Sequence, residues 1–150
     1  MADGACKELE EYWQEAIDWQ VVEDRLARIP ALAGVISIDE LQCPANRKSD
    51  QFFGVHPLAR ELTLDADRTN CRDLATTIDV AMGLDGGPRR VKKLARLGNP
   101  SVDYWSWLTE LEAAEHFHEK GVDVRLTSDT CEPDLELRMP AGSIWCEVTA

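Results

Sequence analysis

The stretch 132–149, EPDLELRMPAGSIWCEVT, decides the fold of this chain. Apolar and polar side chains alternate in its first half, around Leu135 and Leu137, and again in its second half, from Ile144 onward. An alternation with a period of two is typical of half-buried β-strands. The intervening residues 139–143 contain the proline and the glycine of a turn. The stretch therefore predicts a β-hairpin.

The residues just upstream predict a helix and a further strand. Ser101 is a suitable N-cap for a helix that runs to Lys120, and the apolar side chains of this segment recur at helical spacing. Gly121 suits the position after a helix because glycine tolerates a left-handed backbone. Residues 122–127 then alternate again between apolar and polar side chains. Residues 101–150 are thus expected to follow the order helix, strand, strand, strand.

Residues 1–100 predict a mainly helical region. One amphipathic helix is expected over residues 6–29 and is ended by Pro30, because proline cannot continue a helix. A second helix is expected over residues 71–84, with Asn70 as its N-cap. Together with the C-terminal order, these helices predict an α+β fold with a helical region over 1–100 and a smaller helix-and-sheet region over 101–150.

Three segments of the helical region are less regular. Residues 35–38 fit either a short strand or the start of a helix, and residues 43–50 have the composition of a loop. Pro88 suits the first turn of a short helix that ends at Gly98.

Size and charge limit the class of protein. The chain has 150 residues, a net charge of −12 and 44% hydrophobic residues, which predicts one ordinary globular domain. No apolar stretch approaches the roughly 20 residues that a membrane-spanning helix needs. Residues 1–11 are acidic and lack the basic and apolar regions of a signal peptide. We therefore expect a cytoplasmic protein with no membrane contact.

The cysteines do not predict a disulfide framework or a zinc site. Both would need paired cysteines at short spacing, whereas the five cysteines here are odd in number and widely spread. We expect reduced thiols at Cys6, Cys43, Cys71, Cys131 and Cys146.

One basic segment interrupts the acidic chain. Residues 87–96, GPRRVKKLAR, carry five positive charges and no acid, whereas the first and last 50 residues each carry a surplus of acids. Lysine and arginine side chains on one short helix suit the phosphates of a nucleic acid, so the segment predicts contact with DNA. A solvated helix face that balances the acids elsewhere is the alternative. The DNA contacts would be made by Arg89, Arg90, Lys92, Lys93 and Arg96.

Three acids stand at spaced positions in the C-terminal region. Glu110 lies on the predicted helix, Asp134 begins the first strand of the hairpin, and Glu147 lies near the end of the second. Carboxylate oxygens from several elements are the ligands that Mg²⁺ prefers. We therefore predict a magnesium site held by Asp134 and Glu147. Ordinary roles on an exposed helix face, in a turn and on an exposed sheet face are the alternatives.

These residues carry a resemblance to a known family. The matching stretches are 104–106 (YWS), Glu110-Leu111, Gly121, 132–137 (EPDLEL) and 145–149 (WCEVT). They resemble the PD-(D/E)XK nuclease superfamily, also called restriction-endonuclease-like. The resemblance covers roughly residues 102–149 and implies a partial core of that fold.

The resemblance implies a role for each acid. Glu110 matches the helix carboxylate of the family, Asp134 matches the aspartate of the PD element, and Glu147 matches the acid of the (D/E)XK element. Thr149 stands where the family has its lysine. The implied activity is Mg²⁺-dependent cleavage of DNA phosphodiester bonds, as in an endonuclease, if the protein is intact.

Two departures from the family pattern leave alternatives open. Thr149 cannot supply a positive charge, so either another residue replaces the lysine or the site is inactive. The nearest candidates in sequence are Lys120, Arg125 and Arg138. The helix and the strand that follow in the family are also absent, which predicts a truncated reading frame. The alternative function is a non-catalytic relative or a fragment that binds DNA or protein.

Overall fold

A computed structural model describes residues 8, 11–12, 15–42, 55–64, 69–98, 100–127 and 131–149. Its architecture is α+β, with helices along the chain followed by one small sheet. The elements in chain order are α1 (Trp19–Ala27), α2 (Pro30–Ala33), α3 (Ile38–Gln42), α4 (Pro57–Thr63), α5 (Thr69–Gly83), α6 (Gly87–Lys92), a 3₁₀ turn (Lys93–Arg96), α7 (Pro100–Glu119), β1 (Asp123–Leu126), β2 (Leu135–Met139) and β3 (Gly142–Cys146).

The predicted strands form an antiparallel sheet in the order β1-β2-β3. Leu126 pairs with Leu135 between the first two strands, and Met139 pairs with Gly142 across the tight turn of the hairpin. The hairpin and the preceding strand are thus confirmed. The second hairpin strand ends at Cys146, earlier than its alternating pattern suggested.

The buried face of the sheet packs against α7. The inward side chains of β1 and β2 lie beneath this helix because strand alternation turns every second residue toward it. β3 lies at the edge of the sheet, where Ile144 is 52% exposed. The helix begins at Pro100, so Ser101 lies within its first turn rather than capping it.

The long helix predicted over residues 6–29 is interrupted. Ile17 and Asp18 are not helical, and the Asp18 carboxylate accepts hydrogen bonds from the backbone N–H groups of Gln20 and Val21. This N-cap starts α1 because an aspartate side chain can satisfy the free N–H groups of a first helical turn. α1 ends at Ala27, before the predicted end at residue 29, and Pro30 begins the short helix α2.

Residues 35–38 form no strand. The chain turns there, and α3 begins at Ile38. Ser37 and Glu40 form a capping box, because the Ser37 hydroxyl accepts from the Glu40 N–H while the Glu40 carboxylate accepts from the Ser37 N–H. The loop predicted over residues 43–50 lies outside the described residues.

The two helices before α7 are confirmed with different bounds: α6 ends at Lys92, and a 3₁₀ turn continues only to Arg96 rather than to Gly98. α5 begins at Thr69, so Asn70 lies inside the helix and is not its N-cap. Pro88 lies in the first turn of α6, as predicted. The chain between the two helices passes through Gly86, whose φ of 75° suits glycine.

One continuous core joins the helical region to the sheet. It contains buried residues of α1 through α7 as well as the inward leucines of β1 and β2. Two regions of different composition therefore share one hydrophobic cluster. Among the described residues, no helix combines the length and the apolar character needed to cross a membrane.

Candidate functional site

The three predicted acids come from separate elements and lie near one another. Glu110 is on α7, Asp134 directly precedes β2, and Glu147 directly follows β3. The negative charges of Asp134 and Glu147 both act on Glu110 and raise the pKa of its carboxyl. Arg90 contacts both Glu110 and Asp134, and Asp134 accepts a hydrogen bond from Val148, the residue after Glu147, so the helix and the two ends of the hairpin come together here.

A buried arginine lies between two of these acids. The Nη1 atom of Arg90 is 2.5 Å from Oε2 of Glu110, and its Nη2 atom is 3.7 Å from Oδ1 of Asp134. The same Nη2 donates to the carbonyl oxygen of Thr127 at 2.8 Å. Arg90 is only 6% exposed. Its guanidinium group thus holds α6, α7 and the strand ends together.

The backbone around Arg90 explains why it points inward. Positions 87, 90, 91 and 94 are buried, which is the inner stripe of a helical segment. The indole N–H of Trp107 donates to the carbonyl oxygen of Arg90 at 2.8 Å and ties this stripe to α7. Sequence reasoning grouped Arg90 with the DNA-contacting bases and missed its role. The apolar spacing of Val91 and Leu94 was the signal that could have found it.

Glu110 titrates in an unusual range. Burial raises the pKa of its carboxyl to about 7, and Asp134 and Glu147 add to this rise. The charges of Arg90 and Lys93 oppose the rise. Glu110 therefore changes its charge near neutral pH, unlike an exposed glutamate.

Asp134 has a second partner that is part of the backbone. Its Oδ2 accepts a hydrogen bond from the N–H of Val148 at 3.0 Å, and its carbonyl oxygen accepts from the N–H of Thr127 at 3.0 Å. The Thr127 hydroxyl donates to the carbonyl oxygen of Pro133 at 2.6 Å. These bonds fasten the end of β1 and the segment after β3 to the start of β2.

Glu147 and Thr149 lie beyond the last strand. Both are exposed and have irregular backbone, so strand alternation does not place them on a common face as expected. The cation beside the acids is supplied by Arg90. Two of the other candidates, Arg125 and Arg138, bind Glu136 on the opposite face of the sheet.

The described residues contain no group of three or more His, Cys, Asp or Glu side chains that could hold a metal ion. The predicted magnesium ligands are a pair, Asp134 and Glu147, and this pair stays a prediction. In the structure, the carboxylate of Asp134 already pairs with Arg90 and accepts a hydrogen bond from the N–H of Val148.

Two clefts border the segment that carries Arg90. One has a volume of about 390 Å³ and the other about 500 Å³, and Lys93 and Arg96 line both. The larger cleft reaches Arg90 and Glu110. Of the five bases predicted to contact DNA, four line the smaller cleft, and the fifth, Arg90, lines the larger cleft and pairs with the acids.

Comparisons of the chain with protein-family models, with curated proteins and with solved structures found no match. The nuclease resemblance therefore stays a prediction that rests on the residues quoted for it.

Proposed function

We propose that this protein is a nuclease-like module of the PD-(D/E)XK type that binds the DNA backbone without cutting it. The observation that carries the proposal is the position of Arg90 between Glu110 and Asp134. A guanidinium group there neutralises the acids that would otherwise attract a divalent cation, because opposite charges within about 4 Å strongly stabilise each other.

The basic side chains of the same segment support the binding part of the proposal. Arg89, Lys92 and Arg96 are exposed, and none of them forms an ion pair with another described residue. Free cations beside one another attract phosphates and release counterions from DNA. The proposal includes a cytoplasmic location, because the DNA of a cell without a nucleus is accessible there.

A second candidate is the Mg²⁺-dependent endonuclease implied by the resemblance. The convergence of Glu110 and Asp134 on the same arginine favours it, since it brings two of the three carboxylates together. Asp134 and Glu147 would hold the ion, which would polarise a phosphate and activate a water. For this activity, Arg90 would have to move away from Asp134 or perform the role of the family's lysine.

One experiment separates the two candidates. The purified protein is incubated with supercoiled plasmid and Mg²⁺ beside Asp134→Asn, which keeps an acceptor for the Val148 N–H, and duplex binding is measured by fluorescence anisotropy. We expect binding that Lys92→Glu weakens and Lys120→Glu does not, with no nicking above the Asp134→Asn background. Lys120 is a matched control because it is exposed and lines neither cleft.

The contrary outcomes are distinct. Mg²⁺-dependent nicking that Asp134→Asn abolishes would establish the endonuclease instead. Equal binding by the two lysine variants, or no binding at all, would refute the DNA-binding proposal.

A further inference from the structure

Two neighbouring clefts differ in their charge. The first, here called the basic cleft, is lined by Arg89, Lys92, Lys93 and Arg96 together with Gly34 and Val35, and none of its described lining residues is an acid. None of these four cations forms an ion pair with another described residue. Since like charges close together repel, a bound anion such as phosphate would stabilise the cleft.

The second cleft, here called the mixed cleft, has different chemistry. Asp103 and Glu110 line it beside Arg90, Lys93 and Arg96, and Ser106, Leu97 and Trp107 complete most of its wall. The two carboxylates offset the cations of this wall, which weakens its attraction for a phosphate, and they accept hydrogen bonds from hydroxyl or amino groups. Apolar side chains in the same wall favour a flat, uncharged group. These are the requirements of a nucleoside rather than of a phosphodiester.

The clefts meet along Lys93 and Arg96, which line both. Adjacent sites for one phosphate and one nucleoside match the repeating unit of a nucleic-acid strand. A volume of about 500 Å³ is within the range of a small-molecule site and accommodates one unpaired nucleoside, not a duplex. A further phosphate placed beside Asp103 and Glu110 would be disfavoured by their negative charges.

We propose that this protein recognises the free end of a single nucleic-acid strand, with the terminal nucleoside in the mixed cleft and the adjacent phosphate in the basic cleft. The inference rests on the proposed function in that the ligand is a nucleic acid. It adds a preference for an unpaired, unphosphorylated terminus over continuous strand and over duplex.

The test compares a linear single-stranded oligonucleotide with the same sequence closed into a circle. Binding of the full chain is measured by competition against a fluorescent linear probe. Loss of the hydrogen bonds of the terminal nucleoside is expected to weaken the circle about tenfold or more. A phosphate added to the recognised terminus is expected to weaken the linear form in the same way.

Single-residue variants test which part of the strand each cleft binds. Asp103→Asn is expected to remove the penalty of the terminal phosphate while the unphosphorylated strand still binds. Lys92→Glu is expected to weaken every linear form, and the matched control Lys120→Glu is not. Circular dichroism of each variant separates loss of binding from loss of fold.

The outcomes distinguish this inference from the proposed function. Equal affinity for the linear strand and the circle overturns end recognition alone. Absence of binding to either form and to duplex overturns both. A terminal phosphate that strengthens binding overturns the assignment of the nucleoside to the mixed cleft.

Discussion

Arg90 is the residue on which the candidate site depends. Its guanidinium group contacts Glu110 on α7, the carbonyl oxygen of Thr127 after β1, and the carboxylate of Asp134 before β2. A planar group with several fixed donors can satisfy partners in different directions, which the single ammonium of lysine cannot do as well. The same contacts explain why removal of Arg90 should affect the whole fold.

Replacement of Arg90 by methionine is expected to destabilise the protein by about 3–5 kcal/mol, because it leaves Glu110 buried without its cation. Urea denaturation at pH 8 measures the change in the free energy of unfolding. The double variant Arg90→Met, Glu110→Leu is expected to recover much of the loss, since both buried charges are then gone. A single variant within about 0.5 kcal/mol of the wild type, the usual range of surface substitutions, would contradict the role assigned to Arg90.

His56 is a second buried titratable residue, distant in sequence from the acids. It is the N-cap of α4, where its Nδ1 accepts a hydrogen bond from the N–H of Leu58 at 3.1 Å, and its ring meets Tyr104 edge-on at 5.8 Å. Burial lowers the pKa of His56 from 6.5 to about 4, and the charge of Arg60 adds to this effect. The folded protein therefore keeps His56 neutral.

This depressed pKa of His56 predicts a loss of stability in acid. Between pH 6.5 and pH 4 the unfolded chain binds a proton that the folded chain does not, so the free energy of unfolding falls as the pH falls. His56→Asn keeps an N-cap acceptor but removes this titration. Relative to that variant, the wild type is expected to lose about 1.4 kcal/mol between pH 7.5 and pH 5.5.

The comparison with His56→Asn is needed because Glu110 acts in the opposite direction. Its pKa is raised to about 7, so the folded protein binds the extra proton and gains stability as the pH falls from 7 towards 4.5. Because the two effects oppose each other, the free energy of unfolding of the wild type can be nearly independent of pH in this range. Parallel profiles for wild type and His56→Asn in urea denaturation would disprove the assignment to His56.

The helix α6 is positioned by two glycines at its start. A Cβ atom added to Gly87 would lie 1.6 Å from the carbonyl oxygen of Ala81, and one added to Gly86 would lie 1.8 Å from the carbonyl oxygen of Leu126. Only a residue without a side chain allows such close backbone approach. These contacts seat α6 against α5 and β1, and they bring Arg90 within reach of the acids.

Gly87→Ala is therefore expected to destabilise the protein by about 3 kcal/mol, because backbone atoms on both sides must move. Gly83→Ala is the matched control: this glycine ends α5, and an added Cβ would meet nothing within 4 Å. Alanine there is expected to be neutral or to stabilise by up to about 1 kcal/mol. Thermal denaturation compares the two variants. Equal stability of the two would show that α6 is not held by this close approach.

The charge of the whole molecule is unevenly distributed. The net charge is −12, yet Arg89, Lys92, Lys93 and Arg96 line one cleft, in which no described residue is an acid. An acidic molecule repels nucleic acid over most of its surface, so a local basic cleft must direct any binding to one place. Binding should then depend on only a few ionic contacts.

The salt dependence of binding measures the number of these contacts. If three or four phosphates are neutralised on a single strand, the logarithm of the affinity should fall against the logarithm of salt concentration with a slope of about −2 to −3. Lys92→Glu is expected to reduce the slope by about 0.7 or more, whereas Lys120→Glu leaves it unchanged. A slope near zero for the wild type would be incompatible with phosphate contacts in the basic cleft.

Local patterns predicted much of the fold. The hairpin, the strand before it and α7 follow from side-chain alternation and helical spacing, because one buried face imposes a period that neighbouring residues carry by themselves. The break at Ile17 and Asp18 was missed. The apolar positions on both sides of it keep helical spacing, and only the observed N-cap marks the interruption.

The identity and rough placement of the acids were also predictable from the sequence, as was the concentration of bases in residues 87–96. The tertiary structure alone decided that Arg90 turns away from the other bases and lies between Glu110 and Asp134. The physical reason is distance along the chain. Periodicity shows which face of α6 is buried, but the partner that lies opposite that face is chosen by packing between elements 20 to 44 residues apart.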